Sequence, residues 1–203
     1  MSYPKRDDNG QQETLVAATA VPPITVEQFL GFRSPRGFRC ELINGEIVLS
    51  PDPKPPHYDI CERVYKFLEQ VCPEPTYKVL QRLNLRTQNP FYMPSPDVMV
   101  IDYAKWVEAQ SGGYPETAPY LVVEVISLSN RKRPIAAKVQ NYLENGTPAV
   151  WVVYPKKRIV EVHGSEGAEI LSERDRISLP RELPAASFAV KQLFCFAEKL
   201  LAL

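Results

Sequence analysis

The chain has 203 residues, 44% apolar and 24% charged, the composition of an ordinary folded domain rather than of a disordered or membrane-spanning chain. Its 24 basic and 24 acidic side chains cancel, so no global positive field marks a nucleic-acid partner, and any such site must be a local patch. The four cysteines (Cys40, Cys61, Cys72 and Cys195) form no CxxC pair, which argues against a structural zinc cluster, and with no apolar leader before them they fit reduced thiols in a cytoplasmic protein.

The predicted elements begin after a polar stretch. Residues 1–20 read as a disordered or extended tail, which leaves 21–203 as one domain. The segment ITVEQFLGF opens a helix, with Thr25 as N-cap and Gln28 three residues on as its capping-box partner. FRCELINGEIVLSP follows, where Asn44-Gly45 between two apolar runs signals a two-residue hairpin. From His57 to Cys72 the apolar residues Ile60, Val64, Phe67, Leu68 and Val71 recur at helical spacing. YKVLQRLNLR, from Tyr77, alternates like a half-buried strand, with Lys78, Arg82 and Arg86 on one face.

A turn-rich NPFYMPSP leads into the strand DVMVID, and residues 103–119 read as a loop with one helical turn around Trp106. YLVVEVIS is a continuous apolar run, the pattern of a strand buried on both faces. Residues 130–144 read as a helix ending at Asn145-Gly146. PAVWVVYP and RIVEVHG form a second hairpin turning at 155–157, and FAVKQLFCFAEKL reads as a closing amphipathic helix. Strands and helices mixed in this order imply a single α/β domain around a mixed sheet.

One residue breaks the apolar logic. Glu124 sits inside VVEVI, where an ionised carboxylate is costly unless it is paired or binds a metal. Asp97 opens the strand DVMVID, 27 residues earlier. Neighbouring strands lie about 5 Å apart, so the two carboxylates can converge. Two close acids repel unless a cation sits between them, and a hard divalent ion such as Mg²⁺ or Mn²⁺ takes oxygen ligands. Such an ion activates water and stabilises charge on a phosphoryl group. On the helix that follows, Lys138 lies about 40° from Tyr142, at the margin of the apolar arc, where its stem can be buried and its ammonium sent back towards the sheet. Each residue also has a plainer reading: a buried acid met by donors, a turn-capping Asp, a surface Lys. His57 is weighed likewise, as a residue of the helix start rather than a base.

The order Pro-Asp, then an acid in an apolar strand, resembles the PD-(D/E)xK nucleases. A fuller set of pieces is similar to the Uma2 family of restriction-endonuclease-like proteins: ELINGEIV, Ser50-Pro51 and His57, SPDVMV, LVVEVIS, then Lys138, Tyr142, Gly146 and Pro148, and WVVYP. They occur in family order over about residues 24–196. The superfamily's lysine stands two positions after the second acid, a place held here by Ile126. The resemblance implies a restriction-endonuclease-like fold and a lysine displaced to the helix. It further implies Asp97 and Glu124 as metal ligands, Lys138 as the catalytic lysine, and Glu41 or Glu46 as an accessory acid. The activity expected is Mg²⁺-dependent hydrolysis of phosphodiester bonds, most plausibly in duplex DNA, by a homodimer that cuts both strands. Arg131, Lys132 and Arg133 are the expected phosphate contacts. Two other readings stay open: a catalytically weak nuclease fold serving as a nucleic-acid-binding or regulatory module, and a two-carboxylate glycoside hydrolase.

Overall fold

A computed structural model of the protein describes residues 22–126 and 135–195. The chain runs α1 (Val26–Leu30), β1 (Phe38–Ile43), β2 (Glu46–Pro51), α2 (Pro55–Val71), β3 (Tyr77–Gln81), β4 (Val98–Asp102), α3 (Tyr103–Ala109) and β5 (Leu121–Val125). It continues through α4 (Ile135–Glu144), β6 (Ala149–Tyr154), β7 (Ile159–Gly164), β8 (Gly167–Ser172), β9 (Arg176–Ser178) and β10 (Ser187–Ala189) to a 3₁₀ turn at Val190–Phe194. Six strands form the central sheet in the order β3-β4-β5-β6-β7-β8. Every pair is antiparallel except β5–β6, which α4 connects. A parallel pair needs such a crossover, whereas antiparallel neighbours need only a turn. This is a mixed α/β sheet flanked by helices, the restriction-endonuclease-like fold class expected.

The two faces of β5 are sorted by parity. Leu121, Val123 and Val125 join the larger core beneath α2, with Ile60, Val64, Leu68 and Trp151. Val122 faces the other way, with Met99, Val150 and Val152, into the core beneath α4. Both faces are covered, which explains the unbroken apolar run. α2 starts with Pro55-Pro56, tolerated where the first turn's N–H groups have no intrahelical partner. Its buried residues His57, Ile60, Cys61, Val64 and Leu68 follow helical spacing, so one His and one Cys ride on the core stripe.

The β1–β2 hairpin forms a separate two-stranded sheet. Asn44 (φ 51°) and Gly45 (φ 78°) make its turn in the left-handed region. A Cβ on Gly45 would meet the Pro23 Cβ at 2.4 Å, so both the turn and its packing demand glycine. The hairpin docks through paired bonds between Leu42 and Met93, N to O at 3.1 and 2.8 Å. That docking sets β1 beside the segment leading into Asp97.

Three expectations need correction. The strand from Tyr77 stops at Gln81, because Arg82 adopts φ 53° and ends the alternation. Lys78, Arg82 and Arg86 therefore share no face: they pair with Glu74, Asp52 and Glu27 respectively. The 103–119 segment holds a full helix, α3, capped by the Asp102 carboxylate, which accepts from the Ala104 N–H at 2.7 Å. The closing segment enters as strand β10 and then a 3₁₀ turn, with Phe188, Val190, Leu193 and Phe194 in the main core. The apolar periodicity there reports burial rather than an α-helix. The tail over 1–20, the part of the second-last helix at 130–134, and residues 196–203 lie outside the described residues.

Candidate active site at the end of the central sheet

Five elements bring side chains to one end of the sheet, counting the residue that opens β4. In the β4–β5 register Val98 faces Val123, so the next pair outward is Asp97 and Glu124, directly opposite each other. Opposed residues on adjacent strands share a face. Both are buried, at 2% and 7% exposure. β1 adds Arg39 and Glu41, two residues apart and hence on one side of the hairpin. α2 adds His57, and α4 adds Lys138 and Tyr142, one helical turn apart.

Asp97 is held by three donors. The Arg39 guanidinium donates through Nη2 to Oδ1 at 3.0 Å, the Val125 N–H donates to Oδ2 at 2.9 Å, and the His57 Nε2 lies 3.2 Å from Oδ2. Burial pushes this carboxyl up, but the His57 hydrogen bond and charge, Arg39 and the Val125 N–H outweigh it and hold the pKa at about 2.

Glu124 meets a different environment. Its Oε1 lies 2.7 Å from the Lys138 Nζ and accepts the Tyr142 hydroxyl at 2.8 Å. The same ammonium lies 2.7 Å from Oε1 of Glu41, so one cation serves two acids. Burial pushes Glu124 up, Lys138 offsets part of this, and Asp97 and Glu41 add repulsion, leaving the pKa near 7. Burial also works against the Lys138 charge, but Glu124 and Glu41 outweigh it and hold the ammonium protonated. Burial and the Glu124 charge likewise keep Tyr142 a phenol, able to donate.

Glu41 is 8% exposed and also accepts the Ser95 backbone N–H at 2.7 Å, which fastens it to the segment before Asp97. Glu46, the other hairpin acid singled out from the sequence, is exposed at the start of β2 and joins none of these contacts. It pairs with Ile43 at the turn end of the hairpin, two positions beyond Glu41. The structure thus separates the two hairpin acids: Glu41 is in the cluster and Glu46 is not. Ile126, at the superfamily's lysine position, packs into the core beneath α4. The ammonium comes from Lys138 of that helix. Arg131, Lys132 and Arg133 lie outside the described residues.

Sequence reasoning did not single out Arg39 as a site residue. A signal existed: with strand period two, Arg39 shares a face with Glu41. Its Nε and Nη1 are buried and make no hydrogen bond. Tyr142 was recognised as a motif position but not as a donor. His57 enters as a neighbour of Asp97, and its Nδ1 stands 3.5 Å from the Cys61 Sγ. Burial raises the Cys61 pKa, with the Asp97 charge adding to it, so this thiol is no ready nucleophile.

The cluster contains three buried carboxylates, two fixed cations and an imidazole. The three carboxylates offer hard oxygen atoms, the ligand type that Mg²⁺ or Mn²⁺ takes. No helix among the described residues is long and apolar enough to cross a membrane.

Comparison with known proteins agrees with this fold. The family model Uma2, described as "Putative restriction endonuclease", matches residues 26–191. Among solved structures, the chain is similar to a crystal structure titled as "a putative nuclease belonging to DUF820" from Anabaena variabilis ATCC 29413. The TM-score is 0.71 and the identity 21%, over 85% of this chain and 98% of that one. No curated protein matches.

Proposed function

The chain belongs to the Uma2 family, and from that premise we propose that it is a divalent-metal-dependent endonuclease hydrolysing phosphodiester bonds in duplex DNA. The observation that carries the reading is Lys138 bridging Glu41 and Glu124 at 2.7 Å each, beside Asp97. A fixed ammonium beside buried carboxylates supplies positive charge for the phosphoryl oxygens and oxygen ligands for an ion, both of use in phosphodiester hydrolysis.

Asp97 and Glu124 would hold the ion, with Glu41 as accessory acid. When bound, the ion polarises a phosphoryl oxygen and makes water a better nucleophile at neutral pH. Asp97, kept ionised by its three donors, is ready to ligate without losing a proton. Glu124 gives one up near neutrality, which makes it the acid whose state follows pH. Tyr142 fixes the Glu124 carboxylate by its hydroxyl. Lys138 orients water or meets charge developing on the phosphoryl oxygens, because its side chain is 16% exposed and its ammonium is already held between Glu41 and Glu124.

With zero net charge, DNA affinity rests on few contacts, Arg131, Lys132 and Arg133 among them, and falls steeply with salt. Two antiparallel DNA strands are cut most simply by a two-fold dimer, and the free cysteines fit a reducing cytoplasm.

The test uses the full chain with supercoiled plasmid in Mg²⁺, Mn²⁺ or EDTA. Cleavage is expected with metal only, abolished in Glu124→Gln and reduced about 10²-fold or more in Lys138→Met, the loss of one aimed charge. Full cleavage by Lys138→Met, or DNA binding with no cleavage in any metal, would favour the binding-module reading, for which Ile126 in the lysine position is the specific observation.

A further inference from the structure

We propose that His57, Cys61 and Asp97 form a second cation site, selective for a thiophilic divalent ion of the zinc class, and that it shares Asp97 with the nuclease centre. Its inhibitory consequence rests on the nuclease reading above; the site itself does not.

The three side chains are buried, and each offers a ligand atom within 4.8 Å of the others. His57 and Cys61 are four residues apart on α2, which stacks their side chains on the same stripe. The imidazole lies between the thiol and the carboxylate, with Nδ1 3.5 Å from Sγ and Nε2 3.2 Å from Oδ2. Zinc bonds of about 2.3 Å to sulfur and about 2.0–2.1 Å to nitrogen or oxygen put tetrahedral neighbours about 3.3–3.6 Å apart. The two measured contacts use opposite ring nitrogens, and a single ion takes only one of them, so the ring must turn to offer one nitrogen between Sγ and Oδ2. Turning the imidazole and closing the widest gap by about 1 Å brings the set around one ion, with water as fourth ligand.

Donor chemistry sets the selectivity. Sulfur, imidazole nitrogen and one carboxylate suit Zn²⁺ or Co²⁺, whereas Mg²⁺ avoids thiolates and belongs with the all-oxygen acids across the sheet end. Binding converts the Cys61 S–H to a thiolate–metal bond and releases one proton to solvent, with no change of oxidation state. The Arg39 guanidinium occupies Oδ1 of Asp97, and the ion would take Oδ2, from which it displaces the imidazole hydrogen bond. Asp97 held in this way is withdrawn from the oxygen-ligand set. Zinc-class ions then inhibit cleavage supported by Mg²⁺.

Cobalt(II) reports the site without any activity assay. The full chain, kept reduced by a phosphine, is titrated with Co²⁺ under nitrogen. A near-ultraviolet sulfur-to-cobalt charge-transfer band saturating at one equivalent is expected. Cys40→Ser, Cys72→Ser and Cys195→Ser retain it, and Cys61→Ser with an unchanged circular dichroism spectrum loses it. His57→Gln, which leaves the thiol in place, needs at least tenfold more Co²⁺ for the same band. No band in the unaltered chain overturns the proposal, whatever the variants do, and so does a band that survives Cys61→Ser. Zn²⁺ displaces the cobalt band and lowers Mg²⁺-dependent plasmid cleavage in parallel. An intact band in a protein that cleaves in no metal supports the cation site and overturns the nuclease reading alone.

Discussion

Asp97 and Glu124 stand opposite each other on adjacent strands, both buried, yet their acidities are displaced in opposite directions, Asp97 below its ordinary value and Glu124 above it. Asp97 collects two cationic or imidazole partners and a backbone N–H for itself. Glu124 has a phenol and a lysine that it shares with Glu41. Burial penalises both charges, so the number of donors each acid owns decides the outcome. One acid of the site is a fixed anion and the other is held towards its neutral form, a division that would suit the cation-binding centre proposed above.

The largest test of this contrast is removal of each charge in EDTA. Asp97→Asn leaves Arg39 and His57 facing a neutral amide and should cost about 3 kcal/mol, as when one partner of a buried pair is removed. Glu124→Gln removes an acid that burial already disfavours, so its cost should stay under about 1 kcal/mol or become a gain. Equal losses in urea unfolding would erase the distinction.

The next effect is a pH slope. Glu124 in the folded state holds its proton to about 7, whereas its ordinary value is 4.5. Between those values the unfolded chain binds fewer protons, so stability falls as pH rises, by at most about 3 kcal/mol. Asp97 acts oppositely: its folded pKa lies below 3.8, so its contribution is present above that value and lost as pH falls towards 2. Unfolding midpoints of metal-free protein from pH 4.5 to 8 should therefore decline, and Glu124→Gln should flatten the decline. A slope unchanged in that variant would assign the proton to another group.

A smaller change separates the Glu124 donors. Tyr142→Phe removes one hydrogen bond to the carboxylate, worth about 1 kcal/mol, and should move the pH midpoint of that slope upward. A downward move would mean the phenol disfavours the anion. The smallest effect distinguishes the hairpin acids. Glu46→Gln should lie within about 0.5 kcal/mol of the parent in thermal unfolding and leave Mn²⁺ binding unchanged, as for an exposed side chain. Glu41→Gln frees the Lys138 ammonium and weakens the hold on Ser95, so it should weaken Mn²⁺ binding clearly. Matching titrations for the two variants would undo the separation.

Much of this was legible from residue order. The Asn44-Gly45 turn, the capping box at Thr25 and Gln28, the buried run around Glu124 and the helix placing Lys138 beside it all follow from local rules. The strand from Tyr77 misled because nothing in its alternation signals a left-handed Arg82. The last segment misled because short apolar spacing fits a buried strand and 3₁₀ turn as well as a helix.

The sequence by itself determined which residues are chemically out of place, an acid among valines and a lysine on an apolar margin, because burial costs act on residue type and period alone. Tertiary structure decided who neutralises whom. Arg39, His57, Glu41 and Lys138 come from three separate elements, and only the docking of the hairpin at Met93 and the packing of α2 and α4 on opposite faces of the sheet bring them to Asp97 and Glu124. Electrostatic partnership is set by distance in space over a few ångströms, and no spacing along the chain encodes it.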